Sequence, residues 1–305
     1  MSEKAELVVE NRRIQISNLD KVLYPKVGFT KGQVIDYYIR VAPVLLPHLK
    51  DRPLTMKRYP DGVEGEFFYE KNCPEHRPKW VQTAQVWSES NERMMNYCLV
   101  QDLPTLVWAA NLADLELHTS LARKRDVARP TMMVFDLDPG VPADIVRCCQ
   151  VGLWLRDLLA KMKLKSFAKT SGSKGLQVYV PLNTAVTYDQ TKDLSRALAQ
   201  HLEREHGDLV TSNMSKAVRK GKVFVDWSQN DEHKTTICVY SLRAREGPTV
   251  STPVTWDEVE NCLKRKNADL LKFRSNKTIA RVEKLGDLFA SVEKLKQKLP
   301  KKWKV

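Results

Sequence analysis

The chain has 305 residues and 42% are hydrophobic, which is enough for one large domain or two closely packed ones. Fifty Lys and Arg against 37 Asp and Glu give a net charge of +13. This excess favours a polyanionic partner, nucleic acid first, with general basicity for solubility as the alternative. No apolar run reaches transmembrane length and no signal peptide is visible, so we expect a cytoplasmic protein with no membrane partner.

The pattern of the cysteines predicts that their thiols are reduced. None of the six stands in a C-x-x-C motif, and their scatter favours a reducing compartment over a disulfide scaffold. Cys73 and His76 have the spacing of metal ligands, but no second pair completes a zinc site, so zinc is not expected.

The N-terminal third begins with a predicted strand over residues 6–16. Thr30 is predicted to cap a helix that runs to about Val41 and stops before Pro43. The loop before this helix is bracketed by three polar residues: Asn18, Lys21 and Lys31. The two lysines could hold a phosphate or could simply be exposed loop residues.

A predicted strand over 53–59 carries Lys57, and it is followed by the aromatic run Phe67, Phe68 and Tyr69. Aromatic rings beside basic groups can stack on nucleobases. Alternate rings could equally fill the core face of a strand. A further strand-like passage is predicted over residues 80–87.

A helix is predicted from Asp102 to about Leu112, with Asp at the cap and Pro104 in the first turn. A strand over 115–118 follows and ends at His118. His118 could lie on a strand next to the acidic strand that follows and face the same site, but a lone His is more often a structural donor.

The acidic strand is the centre of the predicted site. Residues 131–140 read TMMVFDLDPG, an apolar run that ends in Asp136 and Asp138 before a Pro-Gly turn. Residues two apart in a strand point to the same face, so the two carboxylates project together. Such a pair suits Mg²⁺ or Mn²⁺, although an isolated Asp-x-Asp is also typical of a solvated turn.

A helix over about 143–162 leads to a strand, turn and strand over 166–180. The turn contains Ser171, followed by Ser173 and Lys174 between two glycines. Small residues expose backbone N–H groups to an anion, so the turn is either a phosphate site or a plain hairpin turn. It is not a Walker A loop, because that motif and its following helix are absent.

The next helix is predicted over about 188–205. Arg219 then precedes a strand over 223–227, whose Asp226 is the natural third metal ligand. A strand over 235–240 leads to Arg243, and a capping box at 255–258 starts a late helix. The tail is predicted to form helices with a basic face ending at residues 301–304. With no linker or repeat visible, we expect one compact unit.

Three carboxylates at strand ends, a phosphate-binding turn between them and a basic surface together indicate nucleotidyl transfer to a nucleic acid strand. A nuclease would need the same metals but has less use for a triphosphate site.

The motifs FDLDP, TSGSKGL and VDWSQN followed by YSLR resemble those of the primase-polymerase domain of bacterial ligase D, in the archaeo-eukaryotic primase superfamily. The resemblance runs from Ile16 to about Glu258. It implies an α+β, archaeo-eukaryotic primase-like fold with mostly antiparallel or mixed sheets flanked by helices. It also implies a DNA-binding part over about 1–125, a catalytic core over 126–250 and C-terminal helices over 251–305.

The resemblance further implies roles for individual residues. The metal-binding and catalytic carboxylates would be Asp136, Asp138 and Asp226. The nucleotide-binding residues would be Phe67, Phe68, His118, Ser171, Ser173, Lys174, Gln177 and Arg243. The contacts to DNA, including a pocket for the 5′-phosphate of a downstream strand, would be Asn18, Lys21, Lys31, Lys57, Arg219 and Gln229.

The implied activity is template-dependent addition of ribo- or deoxyribonucleotides to a primer 3′-hydroxyl by a two-metal mechanism with Mg²⁺ or Mn²⁺. The implied partners are gapped DNA or broken ends with a 5′-phosphate, nucleoside triphosphates, Ku and a separate ligase, with location at the nucleoid. Alternatives are an excision-repair polymerase, a primase or a non-catalytic DNA-end binding module. The family usually has His where this chain has Gln177, so we expect reduced rather than abolished activity.

Overall fold

The computed structural model describes residues 4–300. The chain packs into two compact units, each assembled from separate stretches of sequence. The first unit comprises the residues up to Arg125, Thr235–Val250 and Phe273–Asp287, and the second comprises Asp126–Lys234, Ser251–Lys272 and the residues from Leu288 onward. The predicted division into a DNA-binding part, a catalytic core and C-terminal helices assigns a role to each range of residues, and it stays a prediction.

The strands of residues 4–300 are β1 Lys4–Val9, β2 Arg12–Ser17, β3 Val22–Tyr24, β4 Phe29–Thr30, β5 Leu54–Arg58, β6 Phe68–Glu70, β7 Thr83–Ser88, β8 Arg93–Cys98, β9 Asp114–Thr119, β10 Ala122–Arg123, β11 Asp126–Pro130, β12 Met132–Pro139, β13 Phe167–Thr170, β14 Leu176–Pro181, β15 Val210–Thr211, β16 Val223–Asp226, β17 Thr236–Ile237, β18 Leu242–Ala244, β19 Pro248–Val250 and β20 Pro253–Val254. The α-helices are α1 Lys31–Leu49, α2 Leu103–Asn111, α3 Ile145–Lys161, α4 Tyr188–Glu205, α5 Trp256–Arg265, α6 Ser275–Leu285 and α7 Ala290–Lys294.

The first unit is built on a sheet of order β17-β9-β5-β8-β7, with β6 added alongside β5. Its strand pairs are antiparallel. Val34, Tyr38 and Leu45 of α1 are buried, and the Tyr38 hydroxyl donates to the Leu115 carbonyl at 2.7 Å. This bond ties α1 to the strand that carries His118.

The second unit contains a sheet of order β15-β16-β12-β14-β13-β20. Its pairs are antiparallel except for the parallel pair of β15 and β16. Phe135 and Leu137 of β12 are completely buried, as are Leu176 of β14 and Cys148 of α3. Alternation along β12 therefore sends its apolar side chains to the core and its carboxylates to the opposite face, as the sequence predicts.

The α+β class and the mixed, mostly antiparallel sheets are confirmed. Helix α4 occupies the predicted residues, and Thr255 and Glu258 form the predicted capping box of α5. Helices α6 and α7 lie in the predicted helical tail, whereas its basic end at 301–304 lies outside the described residues.

Two predicted elements were wrong. The stretch predicted as one strand over 6–16 is the hairpin β1–β2, which turns at Glu10 and Asn11, both with positive φ. Helix α1 does not stop before Pro43 but continues to Leu49 with Pro43 and Pro47 inside it. The buried Val44, Leu45 and Leu49 lie beyond Pro43, so packing of the second half outweighs the helix-breaking cost of about 3 kcal/mol.

The predicted neighbour of the His118 strand was also wrong. Strand β9 pairs with β5 and β17, whereas the acidic strand β12 belongs to the other sheet and pairs with β14 and β16. Sequence adjacency suggested a pairing that the chain does not make.

The expectation of reduced thiols fails for one pair. Cys73 and Cys98 form a disulfide with 5.0 Å between their Cα atoms, and both side chains are buried. The Cys73 N–H donates to the Asn96 carbonyl at 2.6 Å, which brings the loop after β6 against β8. A contact made across 25 residues has no signature in cysteine spacing. Within residues 4–300, no helix combines the length and apolar character needed to span a membrane.

Candidate metal centre and anion-binding sites

The three predicted carboxylates meet on one face of the second sheet. Asp136 of β12 is the direct cross-strand partner of Asp226 at the end of β16, and Asp138 lies two residues further along β12. Like charges directly opposite each other destabilise a sheet. A site that keeps them there is therefore better explained by function than by stability.

The pKa of Asp136 is raised by its surroundings. Burial, followed by the nearby Asp138 and Asp226 carboxylates, raises the pKa of Asp136 to about 7. The hydrogen bond from Gln177 and the charge of Lys169 oppose this rise. Oδ1 of Asp136 is buried and has no hydrogen-bond partner, so this oxygen is available to a cation.

These residues fit a divalent cation by their chemistry. Carboxylate oxygens are the ligands that Mg²⁺ and Mn²⁺ prefer. Across residues 4–300, no group of three or more His, Cys, Asp or Glu side chains is gathered as a ready-made metal site. Asp136, Asp138 and Asp226 nevertheless lie close together on two neighbouring strands.

Gln177 of β14 bridges this acidic face to a buried lysine. It lies directly opposite Asp136 on one side and Lys169 of β13 on the other. Its Oε1 accepts from Lys169 Nζ at 2.5 Å, and its side chain also hydrogen-bonds Asp136. Lys169 is completely buried, and Nζ donates to Ser251 Oγ at 2.6 Å.

The predicted phosphate-binding turn connects β13 to β14. The Ser171 hydroxyl accepts from the N–H groups of Ser173 and Gly175 at 3.2 and 3.1 Å, which fixes the turn from within. Ser173 and Lys174 are exposed at its tip. A Cβ on Gly175 would lie 2.2 Å from the Leu137 carbonyl oxygen, so only glycine lets the turn approach β12 this closely.

Two residues predicted to contact DNA, Gln229 and Arg219, make contacts within the second unit. Gln229 Nε2 donates to Asp226 Oδ2 at 2.8 Å. Arg219 stacks on the Phe224 ring at 3.7 Å and donates to the Met214 carbonyl. A Cβ on Gly140 would lie 1.9 Å from the Arg219 carbonyl oxygen, so this glycine allows the Arg219 segment to pack against the end of β12.

In the first unit, the fold brings Asn18, Lys21 and Lys31 together. The Asn18 carbonyl accepts from the Lys21 N–H, and the Lys21 carbonyl accepts from the Lys31 N–H. Lys31 is buried, and Nζ donates to the Ser17 carbonyl at 2.7 Å. Burial and the charges of Lys21 and Arg58 lower the pKa of Lys31 to about 8, and an anion bound beside it would relieve that repulsion.

The aromatic run of β6 lies on the surface. Phe67 is 49% exposed and Phe68 is 43% exposed, so the alternative of a core-filling role is wrong. Lys57 Nζ lies 4.2 Å from the centre of the Phe67 ring, and the Arg58 guanidinium lies 5.0 Å from the Phe68 ring. Exposed rings backed by cations can stack on nucleobases.

His118 and Arg243 also belong to the first unit, and they share one partner. His118 Nε2 lies 3.1 Å from Glu116 Oε2, and Arg243 Nε lies 3.2 Å from Glu116 Oε1. Tyr240 precedes Arg243 with a φ of +64° and is held by hydrogen bonds from Tyr37 and to Asp287. This anchored turn sets the path of the chain into β18, where Arg243 lies.

Glu116 is a site residue that was not predicted, although its spacing from His118, two apart in a strand, was a usable signal that they share a face. Lys169 lies just before the predicted phosphate-binding turn, which favours phosphate binding, but its contact with Gln177 and its link to Asp136 depend on the register of three strands.

Comparisons with known proteins identify the family of this chain. Residues 30–289 match the family model described as LigD, primase-polymerase domain. The multifunctional non-homologous end joining protein LigD of Mycolicibacterium smegmatis is 40% identical over 92% of this chain. The bifunctional LigD of Bacillus subtilis is 35% identical over 82% of it. The chain spans only 36% and 40% of the length of these two relatives.

A solved structure is similar over nearly the same extent. The polymerase domain of Mycobacterium tuberculosis ligase D, in complex with DNA, matches with a TM-score of 0.85 and 38% sequence identity. The match covers 92% of this chain and 98% of that one. The chain therefore belongs to the family of LigD primase-polymerase domains, a family of nucleotidyltransferases.

Proposed function

We propose that this chain is a template-dependent polymerase that adds ribo- or deoxyribonucleotides to a primer 3′-hydroxyl at short gaps or broken DNA ends in non-homologous end joining. Family membership supports this activity. The observation that carries the proposal for this chain is the pairing of Asp136 with Asp226 beside Asp138, on the strand that the Ser171–Gly175 turn approaches.

The carboxylates would hold two Mg²⁺ or Mn²⁺ ions through Asp136, Asp138 and Asp226. When bound, such ions supply the positive charge that activates a primer hydroxyl and neutralises a triphosphate during in-line displacement. The residues of the chain hold this arrangement in place. Gln229 and Ser228 hydrogen-bond Asp226, and Gln177 hydrogen-bonds Asp136, so two of the three carboxylates have a fixed orientation.

The nucleotide would be held by phosphate and base contacts. In the second unit, the exposed Ser173 and Lys174 can bind phosphate oxygens on a turn that Ser171 stiffens. In the first unit, His118 and Arg243 would bind phosphate, and Phe67 and Phe68 would stack on bases.

The DNA contacts would comprise a phosphate pocket and a wider basic surface. The pocket of Asn18, Lys21 and Lys31 would take the 5′-phosphate of a downstream strand, since Lys31 is a buried ammonium beside a second lysine. Lys57, Arg219 and Gln229 would add further contacts, of which Gln229 acts through Asp226 in the structure described here. DNA is also the ligand in the similar M. tuberculosis structure.

The proposed partners are Ku and a separate ligase, with the protein located at the nucleoid. The LigD relatives of M. smegmatis and B. subtilis are, by their names, proteins of non-homologous end joining. Excision-repair synthesis and primase activity would use the same carboxylates. Assays with different DNA substrates, and not the geometry of this site, therefore distinguish these activities from end joining.

The experiment is extension of a primer across a short gap by the purified chain, with Mn²⁺ or Mg²⁺ and either ATP or dATP. The downstream strand carries a 5′-phosphate in one substrate and a 5′-hydroxyl in its matched control. We expect metal-dependent extension that is stronger with the phosphate. Tight binding to both substrates with no extension under any of these conditions would favour the DNA-end binding module instead.

A further inference from the structure

Glu116 is a buried carboxylate surrounded by basic side chains. It is 1% exposed, and its oxygens lie 3.6 Å from Lys57 Nζ, 3.1 Å from His118 Nε2 and 3.2 Å from Arg243 Nε. These three residues, chosen for separate reasons in the sequence, are thus the partners of one residue that the sequence analysis did not select.

The register of the first sheet explains this convergence. Lys57 of β5 lies directly between Tyr69 of β6 and Glu116 of β9. His118, two residues after Glu116, points to the same face. Strand β18 completes the cluster, since the Ala244 N–H donates to Glu116 Oε1 at 2.9 Å beside Arg243.

Aromatic rings restrict Lys57 further. Its ammonium lies 4.2 Å from the centre of the Phe67 ring, 5.3 Å from Tyr59 and 5.4 Å from Tyr69. A lysine held between rings and a carboxylate has little freedom to swing away. The cluster therefore presents its basic groups in one fixed arrangement.

The charges of the cluster do not balance. Burial acts to raise the pKa of Glu116, but the hydrogen bond with His118 and the charges of Arg243 and Lys57 lower it to about 2, so Glu116 is ionised. Lys57 and Arg243 together outnumber this single negative charge, and Arg245 adds to the positive field at Lys57. A purely structural buried ion pair gains from neutrality, whereas an excess of positive charge suits an incoming anion.

We propose that Glu116 is a positioning residue that holds Lys57, His118 and Arg243 together as one binding site for the phosphate groups of a nucleoside triphosphate. This inference rests on the proposed polymerase function. It adds a residue that does not contact the substrate but sets the geometry of three that do.

The test is Glu116→Gln, which keeps the acceptor for Ala244 and Arg243 but removes the charge. In gap filling with varied ATP, we expect the KM for ATP to rise about tenfold while kcat changes less than about threefold. The matched control is Asp114→Asn, because Asp114 is equally buried, lies on the same face of the same strand and accepts the Lys57 N–H through Oδ1. That control should leave the KM for ATP within about twofold of the parent.

Two further readouts separate positioning from folding. In Glu116→Gln the pKa of His118, followed by NMR, should fall below its value in the parent, because Glu116 raises it against the effect of burial. If the single variant does not fold, the double variant Glu116→Gln with Arg243→Gln restores the charge balance. It should bind ATP more weakly than Arg243→Gln alone, because Lys57 and His118 still lose the carboxylate that holds them.

Binding of ATP by the folded proteins is measured by calorimetry in parallel, so the inference does not depend on turnover. An active parent and a folded Glu116→Gln with unchanged KM and unchanged ATP affinity would overturn the positioning role while leaving the polymerase function intact. So would a double variant that binds ATP as tightly as Arg243→Gln alone. A parent that incorporates no nucleotide yet shows the Glu116-dependent ATP affinity would overturn the polymerase function alone.

Discussion

Gln177 is the direct cross-strand partner of Asp136, and its amide is the link between that carboxylate and the buried ammonium of Lys169. An amide has both a donor and an acceptor, so it can serve both neighbours at once. A neutral imidazole can also donate and accept, so a His at this position could serve the same two neighbours.

The first prediction concerns this bridge. Gln177→Ala should lower kcat for nucleotide addition by about 10-fold to 100-fold, because Asp136 loses an orienting hydrogen bond and Lys169 loses one of its two acceptors, Ser251 Oγ remaining. Gln177→His should be faster than the parent, as the resemblance to the family implies. Steady-state primer extension measures both, and a His variant no faster than the parent would contradict the expectation of reduced activity.

The close approach of the phosphate-binding turn to β12 gives a second prediction. Gly175→Ala should lower the free energy of unfolding by about 2–4 kcal/mol, because the new Cβ would lie 2.2 Å from the Leu137 carbonyl oxygen. Gly247→Ala is the matched control, since its nearest neighbour is a flexible Arg274 side chain at 3.6 Å. Denaturant unfolding measures both; equal stability of the two variants would refute the steric account.

Much of the secondary structure could be predicted from the sequence, because local signals decide it. The Thr187 and Thr255 caps mark helix starts, and the alternation along β12 separates Phe135 and Leu137 from the carboxylates. Helix α1 could not be predicted past Pro43, because only tertiary packing of its second half shows why the proline is tolerated.

The residues of the site also fall into two groups: those that local sequence signals identify, and those that only the fold brings together. Asp136, Asp138 and Asp226 could be selected because each stands at the end of an apolar strand. The spacing of Glu116 and His118 indicates that these two share a face, but the contacts of Glu116 with Lys57 and of Lys169 with Gln177 arise from strand register that brings distant residues side by side. The Cys73–Cys98 disulfide is a third case, made by a loop that folds back onto β8.

The depressed pKa of Lys31 predicts a pH dependence for 5′-phosphate recognition. A pKa of about 8, where an exposed lysine has one above 10, means that the charge is lost as pH rises through 8. Roughly nine-tenths of Lys31 is charged at pH 7 and roughly one-tenth at pH 9. The ratio of affinities for 5′-phosphate over 5′-hydroxyl gapped DNA should therefore fall several-fold between these values, measured at constant ionic strength. A ratio that stays level would show that Lys31 does not bind the phosphate.

The disulfide gives a prediction for stability. Breaking Cys73–Cys98 with reductant should lower the free energy of unfolding by about 3 kcal/mol, the order expected for a loop of this size. Thermal unfolding with and without reductant measures the loss. Cys149→Ser with Cys262→Ser removes two buried free thiols of the other unit and should respond to reductant as the parent does. A parent with the same melting temperature in both conditions would argue against the bond.

The measurement that tests the central claim most directly is single-turnover extension of a primer with Mn²⁺, using templates that differ only in the next base. The parent should incorporate the complementary nucleotide on each template, and Asp136→Asn should lose nearly all incorporation while retaining its fold and its affinity for DNA. Incorporation that ignores the template base, or that persists undiminished in a folded Asp136→Asn, would contradict a template-dependent polymerase built on the Asp136, Asp138 and Asp226 carboxylates.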